Sequence, residues 1–267
     1  MLQEKYLETL RKFRLIDDAF FSACFDDNAK DVEYILRIIL EKDDLKVLKV
    51  QTQKSVENIY GRSVRFDVFA TDTKGKLYNI EVQRADSGAI PQRARYNSVM
   101  LDYHELKKQE KFKELPESFV IFITEKDIIG DGEKIYHADR IIRETVKEFG
   151  DGTHIIYVNG SFKGEEGKPL DDLIHDFFCE NPEEMRHKQL AERVDFLKSN
   201  KRGVRKMNNI IAEFFKDEIA EAKAESEKKK LLENIRSMMK KLNMTAQQAM
   251  DILEVPVNEQ EKYLTLI

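Results

Sequence analysis

The rhythm of apolar residues changes three times along this chain. In the run from Asp17 to Glu41, Val32, Ile35, Leu36 and Ile39 recur at the spacing of one helical face, which predicts a buried helix opening the domain. Between Lys46 and Gln83 the period drops to two and the residues become β-branched and aromatic. Turn signals at Tyr60-Gly61 and Lys74-Gly75 interrupt this stretch, so it predicts a meander of strands. Pro91 suits the first turn of a helix, the segment to about Glu110 is rich in helix formers, and Pro116 marks its exit. SFVIFIT, from Ser118, and HIIYVNG, from His154, are short unbroken apolar runs, as expected of strands buried on both faces. Ile135 to Phe149, between them, follows neither rhythm. Helix, antiparallel strands, helix, then two buried strands describes an α/β fold and not a bundle or an all-β barrel.

Beyond the Gly/Lys-rich loop at 160–169 the pattern is helical almost to the end, starting with Leu170 to Phe178 and restarting after Pro182. Val204, Met207, Ile211 and Phe214 are spaced 3, 4 and 3, and Leu231, Ile235, Met238 and Leu242 are spaced 4, 3 and 4. Both series look like coiled-coil seams and make self-association through C-terminal helices an expectation. The stretch 220–230, AEAKAESEKKK, is polar all round, as a solvated helical arm or linker would be. The expected division is therefore an α/β domain over 1–180 and a helical region over 181–267.

Composition narrows the class. With 41% hydrophobic and 36% charged residues, the chain of 267 residues belongs with soluble globular proteins and not with disordered or membrane ones. Its longest plain apolar run, Phe119 to Ile123, is far too short to span a bilayer, and MLQEKYLETLRKFR has no apolar stretch like that of a signal peptide. Two cysteines, Cys24 and Cys179, make no disulfide framework. A cytoplasmic protein without a membrane partner is the expectation. The net charge of -5 would repel nucleic acid unless basic residues cluster.

The chemistry-bearing stretch is Gly61 to Gln83. Thr73-Lys74-Gly75 reads as a three-residue hairpin loop with Gly75 in the left-handed position. Pairing Asp72 with Lys76 makes facing residue numbers add to 148, which sets Val68 opposite Ile80, Ala70 opposite Tyr78 and Phe66 opposite Val82 on one apolar face. Asp67 then faces Glu81 on the other side, with Gln83 on that same side roughly 7 Å further along. Like charges directly opposite each other destabilise a strand pair. A hard divalent cation would relieve the repulsion, and Mg²⁺ suits one or two carboxylates, a backbone carbonyl near Val82 and water. Such an ion generates hydroxide from bound water and polarises a phosphodiester oxygen, and Gln83 would orient that water. The alternative is a half-exposed hairpin holding its charges in water, a common pattern that spacing does not exclude.

The residues resemble a known family. Asp67 with Ile80-Glu81-Val82-Gln83, then Gln92, Arg93 and Tyr96, SFVIFIT, Ile135 to His137, HIIYVNG and His175 to Cys179 are similar, in order, to the Rpn-type recombination-promoting nuclease and transposase group of the PD-(D/E)XK superfamily. The likeness runs over most of residues 15 to 205. It implies a restriction-endonuclease-like core, a mixed central sheet flanked by helices, with a helical C-terminal extension. It also implies a metal-dependent DNA endonuclease serving recombination or mobile elements, using Mg²⁺ or Mn²⁺, with Asp67 and Glu81 as metal ligands and Gln83 completing the catalytic set in the place of the superfamily lysine. The chain departs from the group in two ways. Asp18-Ala-Phe-Phe-Ser22 lacks a lysine that many relatives carry after the first-helix Asp. Gln83, a neutral amide, can hydrogen-bond water but brings no positive charge to a developing oxyanion. A degenerate, DNA-binding nuclease fold and a helical assembly protein are the competing readings.

Contact with DNA requires cations near the hairpin. Arg84, Arg93 and Arg95, with Tyr96, follow the motif directly and are the candidate DNA-binding residues. From Met185 to Met207 there are eight Lys/Arg against two Asp/Glu, either a second phosphate-binding patch or a solvated helix face. The resemblance also implies that one further acid from the opening helix, Asp18 or Glu33, completes the metal site in such folds, although Glu33 reads equally well as an exposed helical residue. His175 and Cys179, four apart on one helix, read as packing residues.

Overall fold

The computed structural model describes the chain apart from residues 1, 59–60, 107–109, 215, 254, 257–259, 261–262 and 265–267; for residues 2–6, 208–214 and 216–228 it describes the backbone alone. Its contacts divide into two compact units, Met1–Ile210 and Ile211–Ile267.

The first unit opens with α1 (Leu2–Lys12), α2 (Asp18–Phe25) and α3 (Ala29–Leu40). The single opening helix expected from periodicity is thus two, separated at Asp26 to Asn28. Asp27 takes a positive φ of 51°, and Asn28 caps α3 by accepting from the Asp31 amide at 3.3 Å. Three antiparallel strands follow, β1 (Val47–Val56), β2 (Val64–Asp72) and β3 (Leu77–Gln83), then α4 (Pro91–Glu105) and β4 (Ser118–Thr124). Tyr60, part of one expected turn, lies outside the described residues.

β3 and β4 pair in parallel, as do β4 and β8 (Thr153–Asn159). The unpatterned stretch before β8 forms β5 (Ile135–Ala138), antiparallel to β8, and a small exposed hairpin of β6 (Ile141–Ile142) and β7 (Lys147–Glu148). The result is a mixed six-stranded sheet in the order β1-β2-β3-β4-β8-β5. Helices α2 and α3 pack on β1 and β2, and α4 packs on β4 and β8. This is the α/β architecture anticipated, a mixed sheet flanked by helices.

Every residue of β4 is buried, as its unbroken apolar run requires. Under α4, Ala94, Met100 and Leu101 join Phe69, Leu77, Val120, Phe122 and Tyr157 in one core. The unit closes with α5 (Pro169–Phe177), α6 (Lys188–Ser199) and the first part of α7 (Lys201–Phe214). Lys198 of α6 is buried, and its ammonium donates to the carbonyls of Arg11, Phe13 and Glu180, tying α6 to the chain's opening segment.

In the second unit α8 (Lys216–Leu242) folds against α9 (Ala246–Ile252). Ile235 is buried with Ala249, Met250 and Val255, and Leu231 and Met238 pack against that cluster. Three of the four residues of the second expected seam therefore face this chain's own α9, while Leu242 is exposed. The side chains of Ile211 and Phe214, and most of the polar stretch from 220, lie outside the described residues. Among the described residues no helix is long and apolar enough to cross a membrane.

Candidate active site

The hairpin turn sets the geometry. Gly75 has φ +81°, its amide donates to the Asp72 carbonyl, and the Asp72 amide donates to Lys76. The Asp72 carboxylate accepts from the amides of Lys74 and Lys76 and from the Tyr78 hydroxyl. From this turn the pairs Thr71–Leu77, Ala70–Tyr78, Phe69–Asn79 and Val68–Ile80 follow, the register deduced from the sequence.

One step further the ladder gives way to side chains. The Val82 amide donates to Asp67 Oδ2 at 3.1 Å, and the Asp67 amide lies 3.4 Å from Glu81 Oε1. Asp67 is 5% exposed and Glu81 0%, because α4 and the neighbouring strands cover this face. That excludes the half-exposed hairpin with solvated charges. Burial raises both carboxyls, Asp67 well above the usual carboxylate range and Glu81 to about 7. The charges of Glu81 and Asp18 push Asp67 further up, whereas Arg93 opposes the rise at Glu81.

Arg93, one turn into α4, donates from Nη2 to Glu81 Oε2 at 2.9 Å and from Nη1 to the Gly88 carbonyl at 2.8 Å. Its guanidinium lies 5.9 Å from the centroid of the Phe122 ring. Gln83, half-buried at the end of β3, lays its amide over Gly88, where a β-carbon would come within 1.9 Å of Gln83 Oε1. A glycine is required there for the amide to keep this place.

Two further residues enter from outside the motif. Asp18, in the first turn of α2, is close enough to raise both site carboxyls through its charge. Gln53 of β1 takes a left-handed φ of 51° and donates to Asp18 Oδ1 at 3.2 Å and to Ser22 Oγ at 2.5 Å. A non-glycine residue held in that conformation is strained, and here the strain carries an amide to the acid. Periodicity gives no sign of Gln53; the Asp18 signal is its place in a first turn, four residues before Ser22. Glu33, the other acid considered, instead accepts from the Val47 amide at 3.0 Å and pairs with Arg37 and Lys46.

The candidate DNA contacts are dispersed. Arg84 pairs with Asp17 at 3.1 Å and Glu125 at 2.9 Å but stays 57% exposed. Arg95 is exposed, while Tyr96 is half-buried and donates to the Arg62 carbonyl at 2.5 Å. In the basic stretch, Arg193 donates to the carbonyls of Cys24 and Ala23, Arg186 pairs with Asp172, Lys206 with Asp26 and Lys188 with Glu192. With Lys198 also tied down, Lys201, Arg202 and Arg205 are the exposed remainder.

His175, Asp176 and Cys179 bring ligand atoms within 4.8 Å of one another. Asp176, however, accepts from the amides of Arg186 and His187 at 2.7 and 2.8 Å, and His187 Nδ1 lies 2.9 Å from its Oδ2. Burial, helped by the charge of Asp176, pushes the Cys179 thiol up to about 11. This cluster is a packing knot, as its helical spacing suggests.

Asp67 and Glu81 differ in kind. Buried, acidic and short of donors, they form the sort of hard-oxygen set that a divalent cation satisfies. No curated protein and no solved structure matches the chain. A family model described as PD-(D/E)XK nuclease family transposase matches residues 32–251, which include both carboxylates, Gln83 and Arg93, and the chain belongs to that family.

Proposed function

We propose that the protein is a Mg²⁺-dependent DNA endonuclease, with Mn²⁺ able to replace the ion, acting in the cytoplasm on recombination or mobile-element DNA. What supports the reading is one juxtaposition: two buried carboxylates on neighbouring strands, with raised pKa values, in a chain of a nuclease family. Asp67 and Glu81 hold the cation and Gln83 orients the attacking water. A cation held by these two carboxylates would activate water and polarise the phosphodiester. The water oxygen bonds to phosphorus, the ester P–O bond breaks, and the departing oxygen takes up the proton. Arg84 and Arg95 reach neighbouring phosphates, Arg93 lies at the site itself, and Tyr96 supports the loop at Arg62 that borders the DNA.

The test incubates purified protein with supercoiled plasmid and Mg²⁺ or Mn²⁺. Nicking that Asp67→Ala and Glu81→Ala abolish is the expected result, and nicking unchanged in both variants overturns the site. The neutral Gln83 favours one alternative, a nuclease fold that only binds DNA. Salt-sensitive DNA binding with no nicking under either metal selects it.

A further inference from the structure

A nuclease that collects negative charge on a phosphate needs a cation beside it, and position 83 holds an amide. Arg84, paired with Asp17 and Glu125, is assigned to neighbouring phosphates, and Lys126 pairs with Asp86. Arg93 reaches the spot from a different element. A β-carbon on Gly88 would stand 1.9 Å from Gln83 Oε1 and 3.5 Å from Arg93 Nη1, so amide and guanidinium converge over one glycine. Glu81, which Arg93 contacts, is 0% exposed, yet the arginine side chain is 38% exposed. Part of the guanidinium is spent on Glu81 and Gly88, and the side chain as a whole remains partly open to solvent. Of five N–H donors, two make these bonds, which leaves others for phosphate oxygens. A tether for distant DNA has no need of a wholly buried acid as its partner. A purely structural arginine has no need of that exposure.

We propose that Arg93 supplies the positive charge that position 83 lacks, its guanidinium anchored on Glu81 and directed at the scissile phosphate while Gln83 holds the water. This rests on the nuclease reading and makes Arg93 a catalytic residue of it.

The test compares wild type, Arg93→Ala, Gln83→Lys and the double variant in plasmid nicking, thermal melting and Mn²⁺ titration calorimetry. Arg93→Ala should cut nicking by about 100-fold or more. Gln83→Lys should lower wild-type nicking, because the water loses its amide, yet raise nicking at least about tenfold in the Arg93→Ala background, a non-additivity expected when the lysine restores a charge that the wild type already has. Arg93→Ala should take up Mn²⁺ at least as tightly as wild type, because a competing cation has left Glu81. Three results overturn the proposal: Arg93→Ala nicking like wild type, a folded Arg93→Ala that Gln83→Lys does not rescue, or Mn²⁺ uptake weakened more than about tenfold, which would make Arg93 a support for the metal ligand. Should Arg93→Ala not fold, Gln83→Lys alone decides, since a gain above about tenfold in the wild-type background means that no cation was in place. Wild type that nicks nothing defeats the nuclease reading, while the Mn²⁺ comparison still reports on Arg93.

Discussion

Asp176 and Glu81 are both wholly buried, yet their surroundings drive the two carboxyls in opposite directions. Burial raises each, but around Asp176 the His187 imidazole and the amides of Arg186 and His187 more than offset it and hold the carboxyl below its ordinary value. Glu81 has Arg93 and a long contact to the Asp67 amide, and burial, with the charge of Asp18 beside it, pushes it up. A buried carboxylate saturated with N–H donors is finished structure. One left with few donors beside other acids stores electrostatic strain that binding can release, which is what singles it out as a candidate site.

The widest separation between the two should come from one-atom changes. Asp176→Asn sets an amide nitrogen against backbone N–H groups and should lower stability by about 2–4 kcal/mol, with nicking per folded molecule unchanged below the transition. Asp67→Asn should do the reverse, raising stability by about 1 kcal/mol without metal while cutting nicking by at least about 100-fold. Melting curves and plasmid assays on both variants check this. Equal destabilisation by the two would dissolve the distinction.

Next in size is the dependence on pH. A carboxyl raised on folding binds its proton more tightly in the native state, so its stabilisation is complete below the unfolded value and disappears as pH rises through the folded one. For Glu81 that window runs from 4.5 to about 7, and Asp67 adds to it in the same direction. Asp176, depressed, contributes stability above its unfolded value of 3.8 that is lost as pH falls through its lower folded value. The metal-free melting temperature should therefore fall as pH rises across the Glu81 window. Glu81→Gln should flatten that limb and leave the acid limb intact, and Asp176→Asn should do the opposite. A wild-type curve level across the Glu81 window would mean that the site carboxyls are not raised.

Much of this was legible beforehand because it is local. The register from Asp72 to Ile80 follows from a three-residue loop with one left-handed glycine, and the register alone sets Asp67 against Glu81. Contacts made by docking were not legible. Arg93 looks from sequence like a free cation for DNA, and only the packing of α4 on the sheet brings it to Glu81. The basic stretch from 185 gives no hint that Lys198 ends on the Arg11 carbonyl or Arg193 on that of Cys24, because those partners lie more than 160 residues away. The heptad-like spacing of Leu231, Ile235 and Met238 requires an apolar partner without saying which, and α9 of the same chain provides it.

The smallest effect sorts two acids that the sequence left level. Glu33 resembles Asp176 in miniature, since its oxygens are met by the Val47 amide, Arg37 and Lys46. Asp18 resembles Glu81, being close to other acids and held by the amide of a strained Gln53. Glu33→Ala should cost about 1 kcal/mol and leave Mn²⁺ uptake within about twofold of wild type. Asp18→Ala should cost no stability and weaken Mn²⁺ uptake by about tenfold, as expected of a group that supports the ligands of a metal site. Calorimetric titration of the two variants decides between them. Weakened uptake in Glu33→Ala would show that a carboxylate saturated with donors can still serve the site, and donor count would then no longer separate functional acids from structural ones.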